Sequence, residues 1–243
     1  MLDAARDDSL EALAVLVLKF GLRKGEVLAM PWSSVELDTG RLSVAQTLKR
    51  RGWQHGCDDP AACAEPHHRK GCTAGCEKHQ RCPKPCAVGC VGHAAKCPQR
   101  QGGGLHIKPT PKSAKSRRTL PLVAGTQEAL KLHRERQLAE KETAVVWMDD
   151  SLVFTTEAGT PIDPRNLNRW WNALLKKAEL GPRRFHASRH TAATLLLDSG
   201  VPLEVVSAIL GHATLAVTSD IYAKVTEDAK RRALIGLEQE LES

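Results

Sequence analysis

Apolar residues recur at Leu10, Leu13, Ala14, Val17 and Leu18, the spacing of one helical face, with Ser9 in place as an N-cap. Gly21 predicts the end of that helix, and a second short helix is expected from about Arg23 to Met30, stopped by Pro31. Strand-like alternation follows. Val35-Glu36-Leu37, a turn at Asp38-Thr39-Gly40 and Arg41-Leu42-Ser43-Val44 predict a strand pair. From 51 to 104 the pattern stops: aliphatic residues nearly vanish, Gly, Pro and His become frequent, and all eight cysteines fall between Cys57 and Cys97. After Gly102-Gly103-Gly104, strand alternation resumes at Leu105-His106-Ile107 and again at Thr119-Leu120-Pro121-Leu122. Residues 51–104 therefore read as an insertion into a small sheet, with 1–50 and 105–243 forming one domain around it.

The remainder is mainly helical. Helices are expected at about 125–141, 164–179, 187–199, 203–210, 214–222 and 226–241. Asp163-Pro164 is a start signal, and Gly181-Pro182, Gly200 and Gly211 are stop signals. A short strand at Val153-Phe154-Thr155 breaks the series. The fold class is α+β, a mainly helical domain with a small antiparallel sheet. The final stretch carries Ala229, Ala233, Leu234, Leu237 and Leu241 on one face, which must cover a surface either in cis or on a neighbouring protomer.

A formal net charge of +7 points to a polyanionic partner, nucleic acid before an anionic membrane surface. The longest apolar stretch, Leu10 to Phe20, contains Glu11 and Lys19 and is too short to cross a bilayer. The first eight residues are acidic where a secretory leader would be basic, so the expected compartment is cytoplasmic, where thiols stay reduced. Tyr222 is the only tyrosine.

Four segments can carry chemistry. Arg23 opens the short helix in Gly21-Leu22-Arg23-Lys24-Gly25-Glu26, and Lys112 lies in the basic turn Pro111-Lys112-Ser113-Ala114-Lys115-Ser116-Arg117-Arg118. His186 and Arg189 stand three apart, on one face of a helical turn, and Leu210-Gly211-His212 precedes Tyr222 by ten residues. Each alone is an ordinary surface feature; together they suit a phosphodiester. Two forked guanidinium groups, Arg23 and Arg189, can hold its non-bridging oxygens and offset the repulsion of an anionic nucleophile. Lys112, His186 and His212 can supply and accept protons. A phenol is a poor nucleophile until a cationic pocket makes its phenolate accessible.

In order and local context these residues resemble the tyrosine recombinase family of phage-type integrases. Gly-Leu-Arg-x-Gly-Glu is similar to its first arginine box, with Glu26 packed behind the arginine. Pro-Lys-Ser-x-x-Ser-x-Arg-x-Leu-Pro-Leu is similar to its β-hairpin lysine loop. His186-x-x-Arg189-His190-Thr191 and Leu210-Gly211-His212 match the later boxes, and Asp220-Ile221-Tyr222 sits at the nucleophile. The resemblance covers roughly 10–50 and 105–230. It implies that Tyr222 attacks double-stranded DNA to give a 3′-phosphotyrosyl intermediate, that Lys112 protonates the leaving 5′ oxygen, and that His186 is the base while His212 contacts the phosphate. Lys108 and Lys115 flank Lys112 as alternative acids. No ATP or metal is implied for catalysis, and a homo-tetramer on DNA, from a mobile element, is the implied assembly. Family members carry an amino-terminal helical domain that does not fit before residue 10, so a catalytic fragment with weak site binding is expected. Two other readings share these features: a catalytically silent, zinc-stabilised DNA-binding module, and a type IB topoisomerase.

The insertion carries Cys57, Cys63, Cys72, Cys76, Cys82, Cys86, Cys90 and Cys97, with His79 and His93 as further candidate ligands in a weak repeat of Cys76–Pro83 against Cys90–Pro98. Histidines also stand at 55, 67 and 68. Eight thiols allow two tetrahedral zinc sites, although the paired Cys-x2-Cys knuckle is absent. Disulfides and disorder are the rival readings. With so few apolar side chains, a structural metal would have to fold the segment. Its seven basic and four acidic side chains between 55 and 104, with eight thiolates and two zinc ions, would leave a net charge near −1, which does not make it a DNA clamp. Its expected role is to brace the Lys112 segment or to contact a neighbouring protomer.

Overall fold

The computed structural model describes residues 1–63, 67–72, 76–77, 82, 84–109, 117–148 and 151–211. The helices expected at 214–222 and 226–241 lie outside these residues, as do Lys112, Lys115, His212, Tyr222 and His79. The chain divides into two compact units, Met1–Lys49 with Ile107–Ser243, and Arg50–His106.

The first unit is built on one apolar helix. After a short α1 (Leu2–Ala5), α2 (Glu11–Phe20) buries Ala12, Leu13, Ala14, Val15, Leu16, Val17 and Phe20. A helix apolar on nearly every side must be covered on every side. Accordingly α2 packs against α1, α5 (Ala124–Thr143) and α7 (Ala187–Asp198). Ser9 does not cap α2. The cap position falls on Leu10 instead: the Asp8 carboxylate accepts the Leu10 N–H at 2.8 Å, and the Asp8 carbonyl takes the Glu11 N–H at 3.0 Å. Asp8 also accepts the Trp170 indole N–H at 3.0 Å, which ties this entrance to α6 (Pro164–Lys177).

Strands β1 (Val35–Glu36), β2 (Arg41–Val44) and β5 (Arg118–Pro121) form an antiparallel sheet in that order, with Leu42 opposite Val35 and Leu120. Val35, Leu42, Val44 and Leu120 are its buried side chains. The run Leu105-His106-Ile107 does not join it. It belongs to β4 (Gln101–Lys108), which pairs with β3 (Thr47–Gln54) in a separate two-stranded ribbon. β4 and β5, which flank the Lys112 segment, therefore pair with different partners.

Helix ends mostly follow local chemistry. Asp163 caps α6 by accepting the Arg165 N–H at 2.8 Å, with Pro164 in the first turn. The far end of α6 comes before Gly181. Glu179 takes the left-handed φ of 55°, and the Leu180 N–H returns to the Leu175 carbonyl at 2.9 Å. The α8 helix (Leu203–Leu210) ends on Gly211 as expected. Val153-Phe154-Thr155 is not a strand; only isolated bridges, Pro31 with Leu152 and Thr155 with Pro161, occur there. Its carbonyls are taken by α5 instead, since His133 lies 2.7 Å from the Val153 oxygen and the Gln137 amide donates to Leu152 and Val153 at 3.2 and 3.0 Å.

The second unit has little apolar interior. Ala94 and Cys97 are its buried hydrophobic residues among those described. A short α4 (Pro60–Cys63) is capped by Asp59, which accepts the N–H groups of Ala61 and Ala62 at 3.0 and 3.1 Å. The Arg100 guanidinium lies 4.7 Å over the Trp53 ring.

Gly21 holds the first unit's helices at close quarters. Its φ is +58°, and a Cβ there would stand 2.5 Å from Leu210 Cδ2. Gly200 has a similar φ of +79° with open space around it. Gly200→Ala should therefore cost only the left-handed penalty, about 1–2 kcal/mol, whereas Gly21→Ala should cost clearly more because the fully buried Leu210 side chain must also move. Urea unfolding of the two variants measures this; equal losses would show that the α2–α8 contact yields freely.

Candidate active site

Leu22 is buried and leads the chain from α2 into α3 (Lys24–Leu28), which sets Arg23 at the N-cap and Glu26 at the third helical position. The spacing lets one carboxylate reach back. Glu26 accepts the Arg23 backbone N–H at 3.0 Å through Oε2 and the Arg23 Nη1 at 2.7 Å through Oε1. From the sheet, Arg118 at the start of β5 donates Nη2 to Oε2 at 2.9 Å and Nη1 to Oε1 at 3.3 Å. Side-chain exposure is 7% for Glu26 and 6% for Arg118, against 36% for Arg23. Burial alone would raise the Glu26 pKa. The hydrogen bond and charge of Arg118, with those of Arg23, outweigh it and hold the carboxyl below the usual range.

Arg189 enters from α7. Trp171 of α6 packs on Phe185 with ring centroids 5.1 Å apart and donates its indole N–H to the Arg183 carbonyl at 3.1 Å. The Ser188 hydroxyl donates to the Phe185 carbonyl at 2.7 Å and closes the turn. The segment is thereby fixed, with His186 exposed at the start of α7 and Arg189 buried one turn later. Arg189 Nη1 donates to the Gly21 carbonyl at 2.8 Å. Burial and then the nearby Arg23 guanidinium pull its pKa down to about 9, partly countered by Glu26, so it is still a cation at neutral pH. Burial, followed by the charges of His190, Arg189 and Arg23, lowers the pKa of His186. Its ring meets that of His190 edge-on at 5.1 Å.

The carboxyl end of α8 closes the cluster. Gly211 O accepts Arg23 Nη2 at 2.9 Å, and Ile209 O accepts Arg118 Nε at 2.7 Å. The last carbonyls of a helix carry partial negative charge and lack intrahelical donors, so guanidinium groups suit them. Three arginines against one carboxylate leave two positive charges in excess, with Arg23 the most open to solvent of the ion-paired groups. That surplus makes the cluster attractive to an anion. Beside it, the basic and amide side chains of Lys24, Asn168, Asn172, Arg184 and His186 line a cleft together with the aromatic Trp171 and Phe185.

Of the residues singled out in the sequence, Arg23, Glu26, His186 and Arg189 are thus brought together, although their sequence separation exceeds 160 residues. Lys112, His212 and Tyr222 lie outside the described residues. The sequence reading gave no role to Arg118. The signal was present in the arginine that ends the basic turn, but only the sheet register shows that it points at Glu26.

None of the eight cysteines of the second unit is joined in a disulfide. Three groups of potential ligand atoms lie within 4.8 Å of one another: His55, Cys57, Cys63 and Cys97; His68, Cys90 and His93; and Cys72, Cys76 and Cys82. His55 and His68 were not assigned as ligands from sequence; they become candidates only through folding.

The phage integrase family model matches residues 101–229. An integrase of Saccharopolyspora erythraea is 40% identical over 206 residues, covering 84% of this chain and 47% of that protein. A tyrosine recombinase XerC-like protein of Caldanaerobacter subterraneus subsp. tengcongensis is 31% identical over 236 residues, covering 96% of this chain and 50% of that protein. The chain thus spans about half the length of these relatives. Among solved structures, the Tn1549 transposon integrase in complex with transposon right end DNA superposes with a TM-score of 0.62 at 20% identity, over 98% of this chain and 62% of that one. The XerA recombinase gives 0.59 at 19% identity, over 97% and 58%. These two show the same fold. No helix among the described residues is long and apolar enough to cross a membrane. With its arginine boxes, its sheet and its sequence matches in agreement, the chain belongs to the phage integrase family.

Proposed function

We propose that this chain is the catalytic domain, residues 1–50 and 105–243, of a site-specific recombinase that cuts and rejoins double-stranded DNA through Tyr222. The observation that carries the reading is the convergence of half-exposed Arg23 and buried Arg189 in one cluster, with Glu26 held between Arg23 and Arg118. Their guanidinium groups bind the two non-bridging oxygens of the scissile phosphate and stabilise the charge that grows there during attack. Tyr222 Oη forms the bond to phosphorus, and the bond from phosphorus to the 5′ oxygen breaks. The phenol proton goes to His186, and Lys112 protonates the departing oxygen. His212 adds a contact to the phosphate. Attack by a 5′-hydroxyl on the phosphotyrosine reverses these transfers, so the energy of the phosphodiester is kept in the protein–DNA bond. The lowered pKa of His186 keeps it neutral, and hence able to accept a proton, at pH 7.

The acting assembly is a homo-tetramer on DNA, in the cytoplasm, drawn from a mobile element whose relatives are named integrases. Residues 51–104 form a zinc-binding insertion with a structural role, and the strand chemistry itself is carried by side chains.

A nicked suicide substrate traps the intermediate. Wild-type chain should form a covalent adduct and Tyr222→Phe none; an adduct in the phenylalanine variant would move the nucleophile elsewhere, and no adduct from wild type with intact DNA binding would favour a silent binding module. Relaxation of supercoils without sequence preference would favour the topoisomerase reading.

Glu26→Gln should lower cleavage by about 100-fold, the scale of losing one preorganised donor, because Arg23 loses its anchor. Glu26→Ala should also cost about 3–5 kcal/mol of stability, because buried Arg118 and Arg189 lose their counter-charge. Urea midpoints measure the second effect, and a loss below about 1 kcal/mol would mean that solvent screens the cluster.

Cleavage should fall as pH drops, with an apparent pKa below the usual histidine value of 6.5, because protonated His186 cannot accept the phenol proton. His186→Gln should flatten that limb of a single-turnover pH profile. Persistence of the limb would assign the base to another group.

A further inference from the structure

We propose that residues 50–106 hold three zinc ions, not two: a Cys3His site of Cys57, Cys63, Cys97 and His55, a Cys2His2 site of Cys86, Cys90, His68 and His93, and a third site built on Cys72, Cys76 and Cys82. The inference rests on the reading of this segment as zinc-binding and fixes its stoichiometry and ligand sets.

The eight thiols fold into groups of three, two and three, not four and four. Ligands around a tetrahedral zinc, with Zn–S about 2.3 Å and Zn–N about 2.0–2.1 Å, stand roughly 3.8 Å apart for two sulfurs and roughly 3.6 Å for sulfur and nitrogen. Cys57 Sγ lies 3.6 Å from His55 Nδ1 in the first group. Cys72 and Cys76 each lie 3.4 Å from Cys82 in the third. In the second, Cys86 Sγ is 3.2 Å from His93 Nε2 and makes a side-chain contact with Cys90, which brings it to the set of His68, Cys90 and His93 as a fourth ligand. His68 Nε2 is buried and has no hydrogen-bond partner among the described residues, as expected of an imidazole set up for a metal. Its ring lies 4.9 Å from that of His93.

The chemistry of the donors selects the ion. Thiolate and neutral imidazole suit zinc, whereas magnesium and calcium require oxygen ligands. The segment also needs the metal. With Ala94 and Cys97 as its buried hydrophobic residues, apolar burial cannot order it, and each ion would tie together segments up to 40 residues apart, as Cys57 and Cys97 are. A third dication also shifts the net charge of residues 55–104 from near −1 to near +1, which removes the electrostatic penalty for lying close to DNA.

Mass-spectrometric metal analysis of the full chain, purified with zinc and passed over chelating resin, should give three zinc per chain. The paired variants Cys57→Ser/Cys63→Ser, Cys86→Ser/Cys90→Ser and Cys72→Ser/Cys76→Ser should each give two. A pair that leaves the count at three overturns the ligand assignment. Because such variants can misfold, Co²⁺ is also titrated into chelator-stripped wild-type chain, and the visible absorbance should saturate at three equivalents. Saturation at two overturns the three-site partition while leaving a zinc-bound segment, and no zinc or cobalt uptake overturns both.

Discussion

A single carboxylate, Glu26, organises the first unit. It sits almost out of solvent between Arg23 from α3 and Arg118 from β5, with Arg189 from α7 within electrostatic reach. Burying one carboxylate among three guanidinium groups would be ruinous if any partner were misplaced, because an unpaired buried charge costs several kcal/mol. The helices and the sheet must therefore meet in one arrangement. Two of the guanidinium groups gain further purchase from the Ile209 and Gly211 carbonyls at the end of α8. The ion cluster holds more positive than negative charge and lies beside an open cleft, which is the basis of the phosphate contact proposed for it.

The second unit solves its folding problem in the opposite way. Where the first unit buries an entire helix, this one buries only Ala94 and Cys97 among its described hydrophobic residues, and its cysteines and histidines gather in three groups. On the proposed partition, Cys57, Cys63 and Cys97 come together from positions up to 40 residues apart, so no paired knuckle marks that site in the sequence.

The helices expected at 9–20, 23–30, 125–141, 164–179, 187–199 and 203–210 and the strand pair around Gly40 were legible in the sequence because their signals are local: apolar period, proline, glycine and an aspartate cap. The His186–Arg189 turn was legible for the same reason. Pairing over long distance was not. Nothing local says that Leu105–Ile107 joins β3 while Thr119–Leu120 joins β2, or that Gln137 and His133 take the carbonyls of 152–153 and so prevent a strand there. Arg118 was hidden likewise, since its role depends on the register that sets it opposite Val44. The histidines at 55 and 68 were seen but not assigned, because ligand sets are a property of the folded segment.

The central claim is that Arg23 and Arg189 act on one phosphate. A crystal structure of the chain trapped on cleaved DNA tests it most directly. Both guanidinium groups should donate to non-bridging oxygens of the phosphate bound to Tyr222, with Glu26 still held by Arg23 and Arg118. Guanidinium groups directed at different phosphates, or Arg189 retained on the Gly21 carbonyl without touching DNA, would contradict the account.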